Sequence, residues 1–144
     1  MAAWSLVYTG YEPGKEGLRE TLCALGNGYI VSRACSPDAV ADDVHYPGTY
    51  LAGGYNRLVS KLDDHDIENE DLVNLPNWLP LLIRIEGGAW LRPDGVDHLD
   101  YRQELDLKAG ILFRVQRFRD AEGRVTRWEE RRIVSMHDPH LAAL

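Results

Sequence analysis

Apolar residues that recur at every second position constrain the fold of this chain more than any other feature. In residues 99–107 they alternate with more polar neighbours, at Leu99, Tyr101, Leu105 and Leu107. Successive side chains of a β-strand point to opposite faces, so this period indicates a half-buried strand. Lys108-Ala109-Gly110 interrupts the pattern, which resumes in residues 111–118. Together the two runs predict an antiparallel hairpin.

The register of this hairpin depends on the length of its loop. A two-residue loop would place Leu105 opposite Arg114 and mix the apolar and charged faces. A three-residue loop, with Gly110 in the left-handed conformation, places Leu105 opposite Phe113 and Glu104 opposite Arg114. We predict the second register, because it keeps the apolar face of both strands intact.

Other segments carry weaker strand signals. They are residues 4–9, 29–33, 79–86 and 124–136. Leu18, Leu22 and Leu25 have helical spacing, which allows a single helical turn there. Several antiparallel strands with short loops and little helix predict an all-β fold, an antiparallel β-sandwich.

The acidic composition argues against nucleic acid or an anionic membrane as a partner. The 144 residues carry a formal net charge of −7, whereas such partners are held by clustered Lys and Arg. Neither a signal peptide in residues 1–5 nor an apolar run able to span a bilayer is evident, so we predict a cytoplasmic protein. A hairpin with its tip at Asn27-Gly28 would hold Cys23 and Cys35 too far apart for a disulfide, which predicts reduced thiols.

Residues 63–71 are rich in carboxylates, but they do not form a recognisable metal site. A calcium loop counted from Asp64 would need Gly and Glu where Asn69 and Leu75 stand. The histidines other than His65 show no metal-ligand spacing either. We interpret the segment as a solvated acidic loop. Its acids lack the apolar surroundings that would raise the pKa of a general acid, so we predict no catalytic residue there.

Aromatic residues in two motifs, residues 46–56 and 74–78, are the candidates for ligand or domain contact. Pro47-Gly48 has the composition of a type II turn, and the flat, polar-edged rings of tyrosine and tryptophan suit stacking on sugar or packing on another domain. The alternative is a rigid connection packed on its own sandwich, with Trp78 in the core. The candidate contact residues are Tyr46, Pro47, Gly48, Thr49, Tyr50, Tyr55, Asn56, Asn77 and Trp78.

Six motifs occur in a characteristic order, at residues 8–11, 26–29, 46–56, 68–78, 101–107 and 131–136. Together they resemble the amino-terminal region of glycoside hydrolase family 65, the maltose, trehalose and kojibiose phosphorylases and their hydrolytic relatives. The resemblance implies a two-sheet supersandwich of the galactose-mutarotase-like type, longer than this chain. Residues 1–144 would then be an amino-terminal domain cut short at its C-terminal end, without the catalytic helical barrel.

The resemblance also implies a function. The parent protein would cleave an α-linked glucose disaccharide, by hydrolysis or by inverting phosphorolysis with inorganic phosphate as co-substrate. Catalytic residues of the family lie in the barrel, so none is transferred to this chain, and no cofactor or metal is expected.

Three hypotheses follow for the chain itself. The leading hypothesis is a non-catalytic domain that packs on the barrel, shapes the mouth of its active site and contributes to contacts in a homo-oligomer. The alternative is a freestanding carbohydrate-binding module that uses the aromatic candidates as platforms. A third, an enzyme in its own right, would depend on an acid such as Glu70.

Overall fold

The computed structural model describes residues 4–144 as a mainly antiparallel β-structure with one α-helix in that range. Residues 1–3, part of the segment in which we predict no signal peptide, lie outside the described residues. The strands are β1 (Ser5–Thr9), β2 (Leu25–Gly26), β3 (Ile30–Ser32), β4 (Thr49–Leu51), β5 (Tyr55–Leu62), β6 (His65–Leu72), β7 (Asp97–Asp106), β8 (Ile111–Arg119), β9 (Val125–Val134) and β10 (Ala142–Ala143). Helix α1 spans Pro13–Leu22, and a 3-10 turn spans Pro93–Gly95.

These strands form three antiparallel sheets. The main sheet has the order β1-β7-β8-β9-β10, a second has the order β2-β3-β4, and β5 pairs with β6 alone. Helix α1, the second sheet and residues 33–48 cover one face of the main sheet, with an apolar cluster around Cys23, Leu105 and Leu112 between the layers. The predicted all-β, sandwich-like class is confirmed. Across the described part of the chain, no helix is long and apolar enough to cross a membrane.

The covered face of the main sheet carries charged as well as apolar side chains. Arg114, Glu130 and Arg132 are all at most 5% exposed. Glu130 accepts hydrogen bonds from both guanidinium groups, at 2.5 Å from Arg132 Nη2. Glu130 offsets one of the two guanidinium charges, and both guanidinium groups also donate to backbone carbonyls of the covering segment, so a strand with a charged middle can lie in the core.

The predicted hairpin is present, but its predicted register is wrong by one residue. Glu104 lies opposite Phe113, and Gln103 lies opposite Arg114. The loop therefore has four residues, with Gly110 at φ +66° as the left-handed position. The register prediction paired Arg114 with Glu104 to keep charged residues off the apolar face, whereas Arg114 lies on the buried face beside Glu130.

Two other local predictions are also wrong. Residues 79–86 do not form a strand, and their only ladder contact within the described chain is an isolated bridge from Arg84 to Trp90. Residues 63–71, interpreted as a loop, instead form the turn and most of the second strand of the β5–β6 hairpin. Residues 79–86 alternate in polarity, but no strand among residues 4–144 pairs with them along their length. Residues 65–71 do pair with a neighbouring strand, although acidic residues are rare in strands.

Helix α1 is longer than the single turn that the leucine spacing allows. Pro13 occupies its first turn, where the missing amide hydrogen costs nothing. Leu18 and Leu22 are exposed, while Arg19 and Glu20 are among the buried residues. The helix therefore meets the main sheet through Glu16, which accepts a hydrogen bond from Tyr101, and through Arg19, whose guanidinium lies over the Tyr101 ring, rather than through leucines.

Candidate functional site

A groove of about 350 Å³ lies where the second sheet meets the base of the β5–β6 hairpin. We define the tyrosine groove by Tyr29, Tyr50, Tyr55 and Leu72, which line it together with Val31 and Leu51. Gly53, at φ +80°, makes the tight turn that leads from β4 into β5. This turn brings Tyr50 and Tyr55, two of the candidate contact residues, to the same opening.

Tyr46 and Tyr50 pack closely beside Arg33. The Arg33 guanidinium carbon lies 5.4 Å from the centroid of the Tyr46 ring. Burial raises the pKa of Tyr50, and a hydrogen bond with the Tyr46 side chain raises it further. A Cβ atom at Gly48 would lie 2.8 Å from Arg33 Cδ and 2.9 Å from the Tyr50 ring. Glycine at position 48 thus permits this close packing.

The predicted type II turn at Pro47-Gly48 is wrong, because Gly48 does not have a positive φ. Thr49 instead enters β4 directly and is buried. Its backbone N–H donates to Asn74 Oδ1 at 3.0 Å, and Asn74 Nδ2 donates to the carbonyl of Pro47 at 3.4 Å. The fold therefore brings the two candidate motifs together, and Asn74 of residues 74–78 fixes the backbone of residues 47–49 through these two hydrogen bonds.

Asn77 and Trp78 lie away from the tyrosine groove. Asn77 Oδ1 accepts a hydrogen bond from the backbone of Leu79 at 3.0 Å. Trp78 packs against the buried cluster of Cys35, Ala39 and Leu79. Its indole also lines a separate cavity of about 420 Å³ that Trp128 shares. The nine candidates thus occupy two places on the molecule, and their role in contact stays a prediction.

The β5–β6 hairpin, which we call the ribbon (residues 55–72), is exposed along its whole length. All eight residues of each strand are exposed. Asp63 and Asp64, at φ 47° and 64°, form its two-residue turn in the left-handed conformation typical of a type I′ turn. Asn56, another candidate, lies near its base opposite Asp71. The ribbon therefore projects from the domain.

The two faces of the ribbon differ in chemistry. Cross-strand partners share a face, which places Leu58, Leu62 and Ile67 on one side. Each of these side chains is at least 41% exposed. On the opposite face Arg57 forms two ion pairs. Its Nη1 lies 3.3 Å from Glu68 Oε1, and its Nη2 lies 3.6 Å from Glu70 Oε2. Asp71 is the one acidic side chain on the first face, which we call the apolar face, whereas the opposite, charged face carries five acidic or basic side chains beside Val59.

The acids considered for catalysis do not converge. Glu68 and Glu70 are exposed on the ribbon, with Arg57 between them. Within residues 4–144 the buried glutamates are Glu16, Glu20 and Glu130, and each contacts a cationic or histidine side chain. A glycosidase needs two carboxyl groups across a substrate site. The described chain offers no such pair at the tyrosine groove.

Sequence reasoning missed two parts of this region. The sequence predicts only the start of a strand at Tyr29, but Tyr29 lines the groove and its ring meets His140 edge-on at 4.5 Å between ring centroids. His45 showed no metal spacing, yet the fold places it beside Glu20 and Cys35, with one ligand atom of each within 4.8 Å of the others. Neither arrangement has a local motif that could have revealed it.

Comparisons with known proteins agree on one family. The sequence profile described as "Glycosyl hydrolase family 65, N-terminal domain" matches residues 6–144. The chain is 54% identical, over 98% of its length, to an uncharacterized glycosyl hydrolase of Mycobacterium tuberculosis, of which it covers 11%. It is 34% identical to kojibiose phosphorylase of Caldanaerobacter subterraneus subsp. tengcongensis, covering 99% of the chain and 17% of that protein.

A solved structure shows the same fold. A putative kojibiose phosphorylase from the human microbiome superposes with a TM-score of 0.86 at 22% identity, covering 96% of this chain and 19% of that one. The chain therefore spans between 11% and 19% of the length of these three proteins.

Proposed function

The chain belongs to glycosyl hydrolase family 65 and matches its N-terminal domain, and on this premise we propose that it is a non-catalytic domain of a larger enzyme. In this proposal it packs on a catalytic helical barrel, shapes the mouth of the barrel's active site and contributes to contacts in a homo-oligomer. The observation that carries the proposal is the exposed ribbon with its apolar face.

An isolated two-stranded hairpin is marginally stable in water. Leu58, Leu62 and Ile67 nevertheless face solvent together on the ribbon, and grouped exposed apolar side chains are typical of interaction surfaces. A neighbouring domain that covered this face would bury the three side chains and hold the ribbon in place.

The charge of the ribbon indicates the character of that neighbour. It carries six acidic side chains and two basic ones, Arg57 and Lys61. Acidic surfaces pair favourably with basic ones, and such complementarity fixes orientation more than affinity. We therefore propose that the ribbon contacts a surface of the barrel with an apolar centre and a basic rim.

The names of the relatives support a substrate class. Kojibiose phosphorylases and a trehalose 6-phosphate phosphorylase of Lactococcus lactis are similar to this chain. We propose that the parent protein acts on an α-linked glucose disaccharide, with inorganic phosphate as co-substrate if it is a phosphorylase. A cytoplasmic location is part of the proposal, and the two free buried cysteines fit a reducing compartment.

Reconstitution tests the proposal. Residues 1–144 alone should release no sugar from maltose, trehalose or kojibiose with phosphate, and turnover should appear when the barrel domain of the parent is supplied. Leu58→Asp with Ile67→Asp should weaken assembly with the barrel. Val59→Asp is the control on the charged face, at a position even more exposed than Leu58 and Ile67. Equal assembly by both variants would refute docking through the apolar face.

The second candidate function is a carbohydrate-binding module. The observation that favours it is the cavity between Trp78 and Trp128, because the buried Nε1 of Trp78 has no hydrogen-bond partner in the described chain. Titration of glucose oligosaccharides, followed by tryptophan fluorescence, separates the two functions. The scaffold function predicts no saturable change, whereas a module predicts saturation that Trp78→Ala abolishes.

A further inference from the structure

Three buried side chains with metal-binding atoms meet beneath the segment that leads to the tyrosine groove. Glu20 lies on α1, Cys35 follows β3, and His45 precedes β4. They are 2%, 0% and 6% exposed, and one ligand atom of each lies within 4.8 Å of the other two. The fold therefore gathers a carboxylate, a thiol and an imidazole from three separate segments.

Only one oxygen of Glu20 faces the cluster. Its Oε1 lies 2.6 Å from His45 Nδ1. Its Oε2 accepts the backbone N–H of Tyr46 at 3.0 Å and lies 3.8 Å from Arg33 Nη2. These outer contacts hold the carboxylate in orientation, as the second shell of a metal site does.

The backbones of the other two residues are also anchored. Arg132 Nη2 donates to the carbonyl of Cys35 at 2.8 Å. The backbone N–H of His45 donates to Asp42 Oδ1 at 2.6 Å. The three side chains therefore lie close together on a framework that is fixed before any ion binds.

We propose that Glu20, Cys35 and His45 bind one divalent ion of the zinc class, with water as a fourth ligand. Thiolate, imidazole and carboxylate are the donors that Zn²⁺ takes in proteins, at about 2.0–2.3 Å in tetrahedral geometry. As the ion enters, the thiol loses its proton, and the Nδ1 proton of His45 either leaves an imidazolium or moves to Nε2 of a neutral ring, so that the imidazole ligand is neutral. The resulting thiolate and carboxylate carry two negative charges, which balance the ion.

The bound ion would link α1, which carries Glu20, to the segment after β3 that carries Cys35 and to the segment before β4 that carries His45. His45 immediately precedes Tyr46, so this link would stabilise the wall beside the tyrosine groove. The competing arrangement is a hydrogen-bonded cluster that binds no metal. The two arrangements can be told apart by measurement, because only the metal site has a bond between the Cys35 sulfur and a metal.

Co²⁺ titration of the metal-free chain provides the test, because a thiolate bound to Co²⁺ gives a charge-transfer band in the near ultraviolet. We expect this band at one equivalent of Co²⁺, and its displacement by Zn²⁺. Cys35→Ser should abolish it, and His45→Gln should raise the Kd for Co²⁺ at least tenfold. Cys23→Ser is the matched control, since Cys23 is also free and fully buried, and it should retain the band.

X-ray absorption at the zinc edge gives a measurement that does not depend on variants. The wild-type chain loaded with one equivalent of Zn²⁺ should show one sulfur among its nearest ligands. A first shell without sulfur, or a Co²⁺ band that persists in Cys35→Ser, would overturn the proposal. If Cys35→Ser does not fold, as judged by circular dichroism, the zinc-edge result decides alone.

Discussion

Arg114, Glu130 and Arg132 connect the main sheet to the segment that covers it. Arg114 Nη2 donates to the carbonyl of Ala34 at 2.7 Å, and Arg132 Nη1 donates to the carbonyl of Arg33 at 3.1 Å. Glu130 pairs with both guanidinium groups and offsets one of their two positive charges. A buried pair adds little net stability compared with apolar residues, but loss of one partner leaves a charge uncompensated.

Glu130→Gln should therefore destabilise the chain strongly. The amide keeps the shape of the side chain but removes the negative charge between two buried guanidinium groups, which we expect to cost about 3–5 kcal/mol of unfolding free energy. Urea denaturation measures this loss. Glu129→Gln changes the exposed neighbour and should cost less than about 1 kcal/mol. A loss of similar size in both variants would contradict the role assigned to Glu130.

Tyr101 should make stability depend on alkaline pH. Its hydroxyl donates to Glu16 Oε2 at 3.0 Å and to Gln103 Oε1 at 2.9 Å, two alternative acceptors for one hydrogen. Burial raises its pKa from 10.0 to about 12. The unfolded chain therefore loses this proton near pH 10 while the folded chain keeps it. The stability that this shift contributes is complete below pH 10 and is lost as the pH rises through about 12.

The expected loss over that interval is on the order of 2–3 kcal/mol of unfolding free energy, since one pKa unit corresponds to about 1.4 kcal/mol. Urea denaturation at pH 9 and pH 11 captures about half of this loss, roughly 1.3 kcal/mol, because the folded chain still keeps most of the proton at pH 11. Tyr101→Phe removes the titrating group, so its stability should change less between the two pH values. Tyr55→Phe, at an exposed position, should keep the wild-type dependence. Parallel behaviour of all three proteins would show that Tyr101 is not responsible.

At the scale of elements, the ribbon is the part that the rest of the domain needs least. Tyr55 and Leu72 are cross-strand partners at its base, so an Asn-Gly turn can join them in place of residues 56–71. Because the removed residues are exposed, we expect the thermal midpoint of the chain to change by no more than about 4 °C. Scanning calorimetry measures it. A much larger decrease would mean that the ribbon helps to hold the fold.

The sequence allowed the central strands to be predicted because their alternation coincides with a real sheet. Residues 97–106, 111–119 and 125–134 are strands in the structure. The register was not predictable from pattern alone, since Arg114 is buried with a counter-charge that lies 16 residues away. Residues 79–86 alternate between apolar and polar side chains, but a strand also needs a neighbouring strand to pair with, and the alternation does not show whether one is present.

The candidate region was predictable in part for the same reason. Tyr50 and Tyr55 lie close in sequence and reach the same groove, whereas Tyr29 and Leu72 join them only through β-pairing and the ribbon. Glu20, Cys35 and His45 are separated by 15 and 10 residues, which matches no local metal motif. Sites assembled from distant segments require the tertiary fold before they can be recognised.

At the scale of the whole molecule, the apolar side chains that remain exposed differ in their surroundings. Some lie beside charged residues, as Val7 does opposite Glu104 on the outer face of the main sheet. Others are gathered on the ribbon. Singly exposed apolar residues are normal for a folded domain, whereas a group on a projecting element indicates a contact surface.

Hydrogen exchange should reveal this surface when the domain meets the proposed barrel. In the isolated chain the ribbon amides should exchange much faster than those of β7 and β8, because all eight residues of each ribbon strand are exposed. In complex with the barrel domain, ribbon exchange should slow at least tenfold, while β7 and β8 stay unchanged. Mass spectrometry of peptides from residues 55–72 and 97–119 measures both regions in one experiment. Equal ribbon exchange with and without the barrel, under conditions where the two bind, would place the contact elsewhere on the domain.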